Sequence, residues 1–301
     1  MNLNKFIPNR FLRWIMVLAG AASAAEAPVV KIQETGGRRV ITSNGIPDHE
    51  TGSFPNQGNP HHMEAQRHRF EMTLTPKAEN RPIPLGPSFF GVAVNGIPFE
   101  AGTAEFWRGQ RAWNYEAKSG ILDLGLDQND AHAQPGGVYH YHGLPAGLMH
   151  QLSIGHEGQM ILLGWAADGF PIYAGKGHSA AMDVTSPVVQ LHSSYRLKTG
   201  TRLNGNRGPG GAYDGTFSND YEYQHGTGEL DECNGRFGVT PEYPKGIYHY
   251  HITTEFPYIS RLWKGEPDRS FFKQREPRFG PPNHGRMGGP GFPPPGRRLI
   301  N

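Results

Sequence analysis

The chain has a single cysteine, Cys233, so no intrachain disulfide can staple it. Neither sign of charge dominates. The 29 basic and 27 acidic residues leave +2, which makes no case for a nucleic-acid partner. Beyond residue 24 no segment is long and apolar enough to cross a bilayer, so the chain does not read as an integral membrane protein. Also missing are a Gly-x-Ser-x-Gly elbow, a Walker loop and a His-Glu-x-x-His motif, which leaves serine-hydrolase, P-loop and zincin readings without support. Hydrophobic residues make up only 36%. What is abundant is glycine, 41 residues, and proline, 26, in a chain of 301. That composition argues against a helical bundle and for short strands joined by many turns.

The two ends differ from the middle. Residues 1–24 read as a secretory signal. Lys5, Arg10 and Arg13 form a positive start, Trp14 to Ala22 an apolar stretch, and Ala22-Ser23-Ala24 the small residues a signal peptidase needs. The expected location is therefore exported, periplasmic or extracellular. Residues 265–301 hold 8 Pro and 7 Gly with scattered Arg, a composition expected to stay disordered because it buries too little apolar surface to offset its ordering entropy. Between the ends, residues 28–264 are expected to form one large domain, mildly acidic over 25–264 with 24 acidic against 19 basic residues.

Motifs within that domain recur. Asn44-Gly45-Ile46-Pro47, Asn95-Gly96-Ile97-Pro98 and Asp168-Gly169-Phe170-Pro171 are turn formers, and the last two follow β-rich runs. Asp127-Gln128-Asn129-Asp130-Ala131 is matched by Asp231-Glu232-Cys233-Asn234-Gly235, and "GGVYHYH" (136–142) by "KGIYHYH" (245–251). The order turn, acidic loop, tetrad is the same twice. An internally duplicated β unit is expected, with copies near 89–142 and 161–251, giving a mainly β, sandwich or barrel-like domain. Arg67 to Leu74 alternates as a strand with His68, Phe70, Met72 and Leu74 on one face; Ser194 to Lys198 is a further strand, and Ala146 to Leu152 the best helix.

Two copies of Tyr-His-Tyr-His arise by chance in about one chain in a million of this composition. In a strand His140 and His142 point to one face and Tyr139 and Tyr141 to the other, and the same holds for His249 and His251. Such a pair can converge on a divalent transition metal, zinc or copper foremost, with iron, nickel or manganese behind. Asp127 and Asp231 are the natural additional ligands or acceptors for the imidazole N–H groups. The alternative is that these histidines are structural, hydrogen-bonded to buried carboxylates or carbonyls. His132 is a weaker candidate, having no counterpart in the second copy. His49, His61 and His62 stand in a polar loop, His284 in the tail, and Cys233 is a soft ligand or a small buried residue. Asp214, Thr216, Ser218 and Asp220 alternate as oxygen donors, with Glu222 following, but the glycine and glutamate of a calcium loop are lacking, so calcium ranks behind a transition metal.

The tetrads, together with "SNGIPDHETGSFPNQGNP", "GVAVNGIPF", "ADGFPIY", "DGTFSNDYEY" and "LDECNG", resemble the YHYH domain family of exported proteins over about residues 40–260. The resemblance implies secretion and a repeated architecture, and brings no enzyme activity with it. The signature falls on Tyr139, His140, Tyr141, His142, Tyr248, His249, Tyr250 and His251, and on Asp168, Asp231 and Cys233; Asn129 departs from it where a cysteine is common. Two functions follow. One is an exported metal-binding protein acting on a small molecule or polymer by metal-assisted hydrolysis or redox chemistry, with Asp168 or Asp231 as general base. The other is a non-catalytic adhesion or carbohydrate-binding module with the tetrads as scaffolding.

Overall fold

The computed structural model describes residues 26–273. The expected signal segment and residues 274–301 of the expected tail lie outside them. Strands β1 (Val30–Thr35), β2 (Arg38–Ser43) and β3 (His68–Thr73) form an antiparallel three-stranded sheet in that order. β3 alternates as its sequence does, with Phe70 and Met72 buried and Arg69 exposed. Then come β4 (Ile83–Pro84), β5 (Gly91–Ala93), β6 (Pro98–Phe99), β7 (Ala131–Ala133) and β8 (Tyr139–Tyr141). Helix α1 (Ala146–Ser153) starts behind Pro145, which suits a helix entry because it lacks an N–H to satisfy. It is the one α-helix among the described residues.

The second half supplies β9 (Leu162–Ala166), β10 (Pro171–Ala174), β11 (Lys176–His178), β12 (Val188–Gln190), β13 (Tyr195–Leu197), β14 (Tyr221–Tyr223), β15 (Gly235–Gly238), β16 (Ile247–Ile252) and β17 (Leu262–Trp263). Eight of these strands make the main sheet, in the order β15-β16-β10-β9-β5-β6-β8-β7. At its centre β5 and β9 run antiparallel with Val92 opposite Trp165. Outward from there both ends repeat one pattern. An antiparallel hairpin (β5–β6, β9–β10) leads to a parallel neighbour (β8, β16), then to an antiparallel edge (β7, β15). The registers agree too: Phe99 lies opposite Tyr141, and Ile172, four residues after its own turn Asp as Phe99 is after Asn95, lies opposite Tyr250. Glycine is required at the second turn, where Gly169 has φ +91° and a Cβ would stand 2.4 Å from the Thr73 carbonyl oxygen.

The mainly β architecture with little helix is as the sequence reading expects; the barrel alternative and the start of the tail are not. The main sheet is open: β7 and β15 end it without pairing to each other, so no barrel closes among the described residues. It is covered instead by the three-stranded sheet, whose Ile41, Phe70 and Met72 share one core with Phe89, Val92, Ile97 and Phe170. Residues 265–273 belong to the fold and not to the tail. Phe271 is fully buried and stacks on Phe70, and Phe89 N–H donates to the Phe271 carbonyl at 3.0 Å. An aromatic in apolar surroundings outweighs the Pro/Gly-rich composition that follows it.

Candidate metal centre

In β8 the side chains divide as strand geometry requires. Tyr139 and Tyr141 are fully buried on one face, and His140 and His142, 2% and 4% exposed, turn to the other. The adjacent β7 brings a third imidazole, because His132 stands opposite His140 in the antiparallel register. The loop before β7 fastens the arrangement. Asp130 takes φ +52°, which lets its carbonyl accept the His142 N–H at 2.7 Å, while Asp127 N–H donates to the Ala131 carbonyl at 2.8 Å. The result is three Nε2 atoms together: His140 to His142 at 3.0 Å, and His142 to His132 at 3.2 Å.

The ring tautomers follow from what the other nitrogens touch. His140 Nδ1 lies 3.1 Å from the Val138 carbonyl and His132 Nδ1 2.7 Å from the Leu124 carbonyl, so both donate from Nδ1 and present Nε2 lone pairs inward. His142 Nδ1 is buried without a hydrogen-bond partner among the described residues. Burial, reinforced by the neighbouring rings, holds His140 and His142 well below the ordinary imidazole pKa, and burial lowers His132 as well. The three rings are therefore neutral at pH 7, the form that ligates metal. Ligand separations near 3 Å match the edge of a coordination polyhedron with ~2.0–2.1 Å bonds to nitrogen. Carbonyl acceptors on the outer nitrogens fix two of the rings, as the outer partners of metal-bound histidines do. The rings open onto a cavity of about 620 Å³ walled by Glu100, Glu105, Phe106, Asn114, Arg261 and Lys273 among others.

The family model described as YHYH protein matches residues 69–265, which takes in both tetrads, their acidic loops and the main sheet. The chain belongs to the YHYH family. No curated protein and no solved structure matches it.

In this YHYH protein the second tetrad forms a pair of its own at the far end of the sheet, with four strands between β8 and β16, so the four tetrad histidines do not share one site. His249 and His251 have ring centroids 4.9 Å apart, much as His140 and His142 at 4.7 Å. Their Nδ1 atoms lie 2.9 and 2.8 Å from the Ile247 and Ala174 carbonyls. Opposite His249, however, stands Arg236, where the first end has His132. Burial lowers His249 to about 4 and holds His251 well below its usual value.

The carboxylates proposed from sequence sit on the tyrosine face. Asp127 accepts from Tyr139 Oη at 2.7 Å and from the Gly52 N–H, and Asp231 accepts from Tyr248 Oη at 2.9 Å. The structure does not bring either to the imidazoles. Asp168 is likewise buried behind the sheet, bonded to Tyr250 Oη and the Gly265 N–H, and burial raises it to about 6. Cys233 is buried, and desolvation with nearby Asp231 pushes its thiol up, away from the thiolate a metal takes. His49 is engaged by Tyr141 Oη at 2.6 Å, and His61 reaches the cavity wall. The segment weighed as a calcium loop is a hydrogen-bond frame around Arg202 instead. Arg202 donates to Asp214 and to both oxygens of Asp220, whose Oδ2 also accepts the Gly215 and Phe217 N–H groups.

His132 was the underrated residue, and a signal for it stands in the sequence. Pro135-Gly136-Gly137 marks a tight turn centred on 136, and a hairpin folded there places 132 against 140.

Proposed function

We propose that this YHYH protein is an exported metalloprotein that holds one divalent transition-metal ion on His132, His140 and His142. What carries the reading is the proton count. His132 and His140 each point a lone pair at His142 Nε2, which has one proton at most to offer, and the bare alternative leaves three lone pairs converging. A cation resolves that opposition. Three imidazoles are donors suited to zinc and copper, and they leave further positions on the ion turned to the cavity. A bound zinc would supply Lewis-acid activation of water for hydrolysis of a small molecule or polymer that enters the cavity, and copper would supply redox chemistry. The scaffold built by two like units of the sheet, 89–142 and 161–251, is read as a duplication in which only the first unit kept three imidazoles.

Metal analysis of the purified protein tests the proposal. Wild type is expected to retain about one equivalent of zinc or copper after dialysis, and His140→Ala/His142→Ala close to none. Equal, sub-stoichiometric metal in both would overturn it. A purely structural role for the tetrad would show instead as a lowered melting temperature with no bound ion lost.

A further inference from the structure

Glu100 lies just past β6, on the parallel neighbour of β8, and its N–H donates to the Tyr141 carbonyl at 2.9 Å. That bond places its side chain in the same cavity wall as the three imidazoles. The two carboxylate oxygens then have different fates. Oε1 accepts from Lys273 Nζ, which is itself held at 3.0 Å by Gln134 Oε1. Oε2 is buried without a hydrogen-bond partner among the described residues and stands 3.5 Å from His140 Nε2. A buried carboxylate oxygen left unpaired is unfavourable even when its companion oxygen is bonded, because it has lost water and gained no donor.

Two ordinary explanations for this contact fail. A charged imidazolium would make it a salt bridge, but a proton on His140 Nε2 lies closer to His142 Nε2, at 3.0 Å, than to the Glu100 oxygen at 3.5 Å. A proton on Glu100 would make it a hydrogen bond, but 3.5 Å is too long for O–H···N. His140 Nδ1 already donates to the Val138 carbonyl, so in the neutral ring Nε2 has no proton to offer the Glu100 oxygen. Two acceptors held side by side in a buried site are stable only with something positive between them. The far end of the sheet shows the contrast. There Tyr173, five residues after Asp168 as Glu100 is after Asn95, packs its ring against His249 and His251, and Arg236 replaces His132. Where the carboxylate is lost, the third imidazole is lost as well.

We infer that Glu100 is the oxygen donor to the ion held by His132, His140 and His142, its Oε2 completing a three-nitrogen, one-oxygen set while Lys273 fixes the other oxygen. This rests on the metal reading given above. Three imidazoles and one carboxylate would suit zinc or copper(II).

The test uses cobalt(II) as the probe, loaded into the full chain, with affinity and visible absorption as readouts. Glu100→Gln keeps shape and the Lys273 contact while removing the anionic donor; Glu100→Asp keeps the carboxylate on a shorter stem. Glu100→Gln is expected to weaken cobalt binding by at least the ~10–100-fold that loss of an outer partner costs, and to alter the absorption bands. Glu100→Asp is expected to recover part of the affinity with bands shifted from wild type. Circular dichroism confirms folding, and where one variant does not fold the other carries the result. Wild-type affinity and bands in the folded variants, with His140→Ala/His142→Ala failing to bind, would overturn the role of Glu100 alone. Failure of wild type itself to bind cobalt would remove the metal reading with it.

Discussion

His132 and Arg236 occupy the same place at opposite ends of one sheet: His132 faces His140 across β7 and β8, and Arg236 faces His249 across β15 and β16. A guanidinium stays charged at any pH a protein meets and cannot ligate, so the second end keeps two imidazoles beside a fixed positive charge.

That difference predicts the stoichiometry. His132→Ala is expected to lower metal content from about one equivalent to near zero. His249→Ala/His251→Ala should retain one equivalent in its folded fraction. Elemental analysis of both decides the matter, and loss of metal from the second variant with retention in the first would reverse the assignment.

Acid should destabilise the metal-free protein through histidines outside the centre. Burial lowers His68 and His249 to about 4, and His251 lies well below its ordinary value. A depressed imidazole pKa means that the unfolded chain binds protons the native one refuses. Stability is then full above ~6.5 and falls as pH drops towards 4. Each such group removes about 1 kcal/mol between pH 7 and 5.5. Asp168 works the other way, because its raised value favours the protonated native form, and its contribution is lost as pH rises through about 6. Three imidazoles outweigh one carboxylate, leaving a net loss of about 2 kcal/mol over that interval. Urea midpoints in the presence of a chelator measure it. A midpoint that rises on acidification from pH 7 to 5.5 would contradict the assignment.

Arg202 supports a buried carboxylate. Asp220 is fully buried and takes two of its bonds from that guanidinium. Arg202→Ala strands the charge and should cost about 3–5 kcal/mol, the usual penalty for removing one partner of a buried pair. Calcium should not restore the loss, since Asp214 and Asp220 sit in a hydrogen-bond frame built around the arginine and its backbone donors. A melting temperature recovered by millimolar calcium would reopen the oxygen-donor reading.

Much of this could be read locally. The division of Tyr139 and Tyr141 from His140 and His142 needs only the two-residue period of a strand, and the alternation of β3 and the start of α1 behind Pro145 are local in the same way. The misplacement of Asp127 has a clear cause. A carboxylate twelve residues before Tyr139 is equally close in sequence to both faces of β8, and the buried phenol Oη, not the imidazole, was the group in need of an acceptor. Composition misjudged residues 265–273 because it averages over a segment whose single buried ring, Phe271, decides the outcome.

The sequence by itself determined which residue types alternate, where the chain turns and that the Tyr-His-Tyr-His pattern occurs twice, since these depend on bonds between near neighbours. Tertiary structure alone decided that His132 and not Asp127 joins His140 and His142, that Glu100 enters from a parallel strand forty residues away in the chain, and that Arg236 stands at the other end. Such choices depend on which strands lie side by side and which face each presents, a long-range matter of burying apolar surface and pairing every buried polar group.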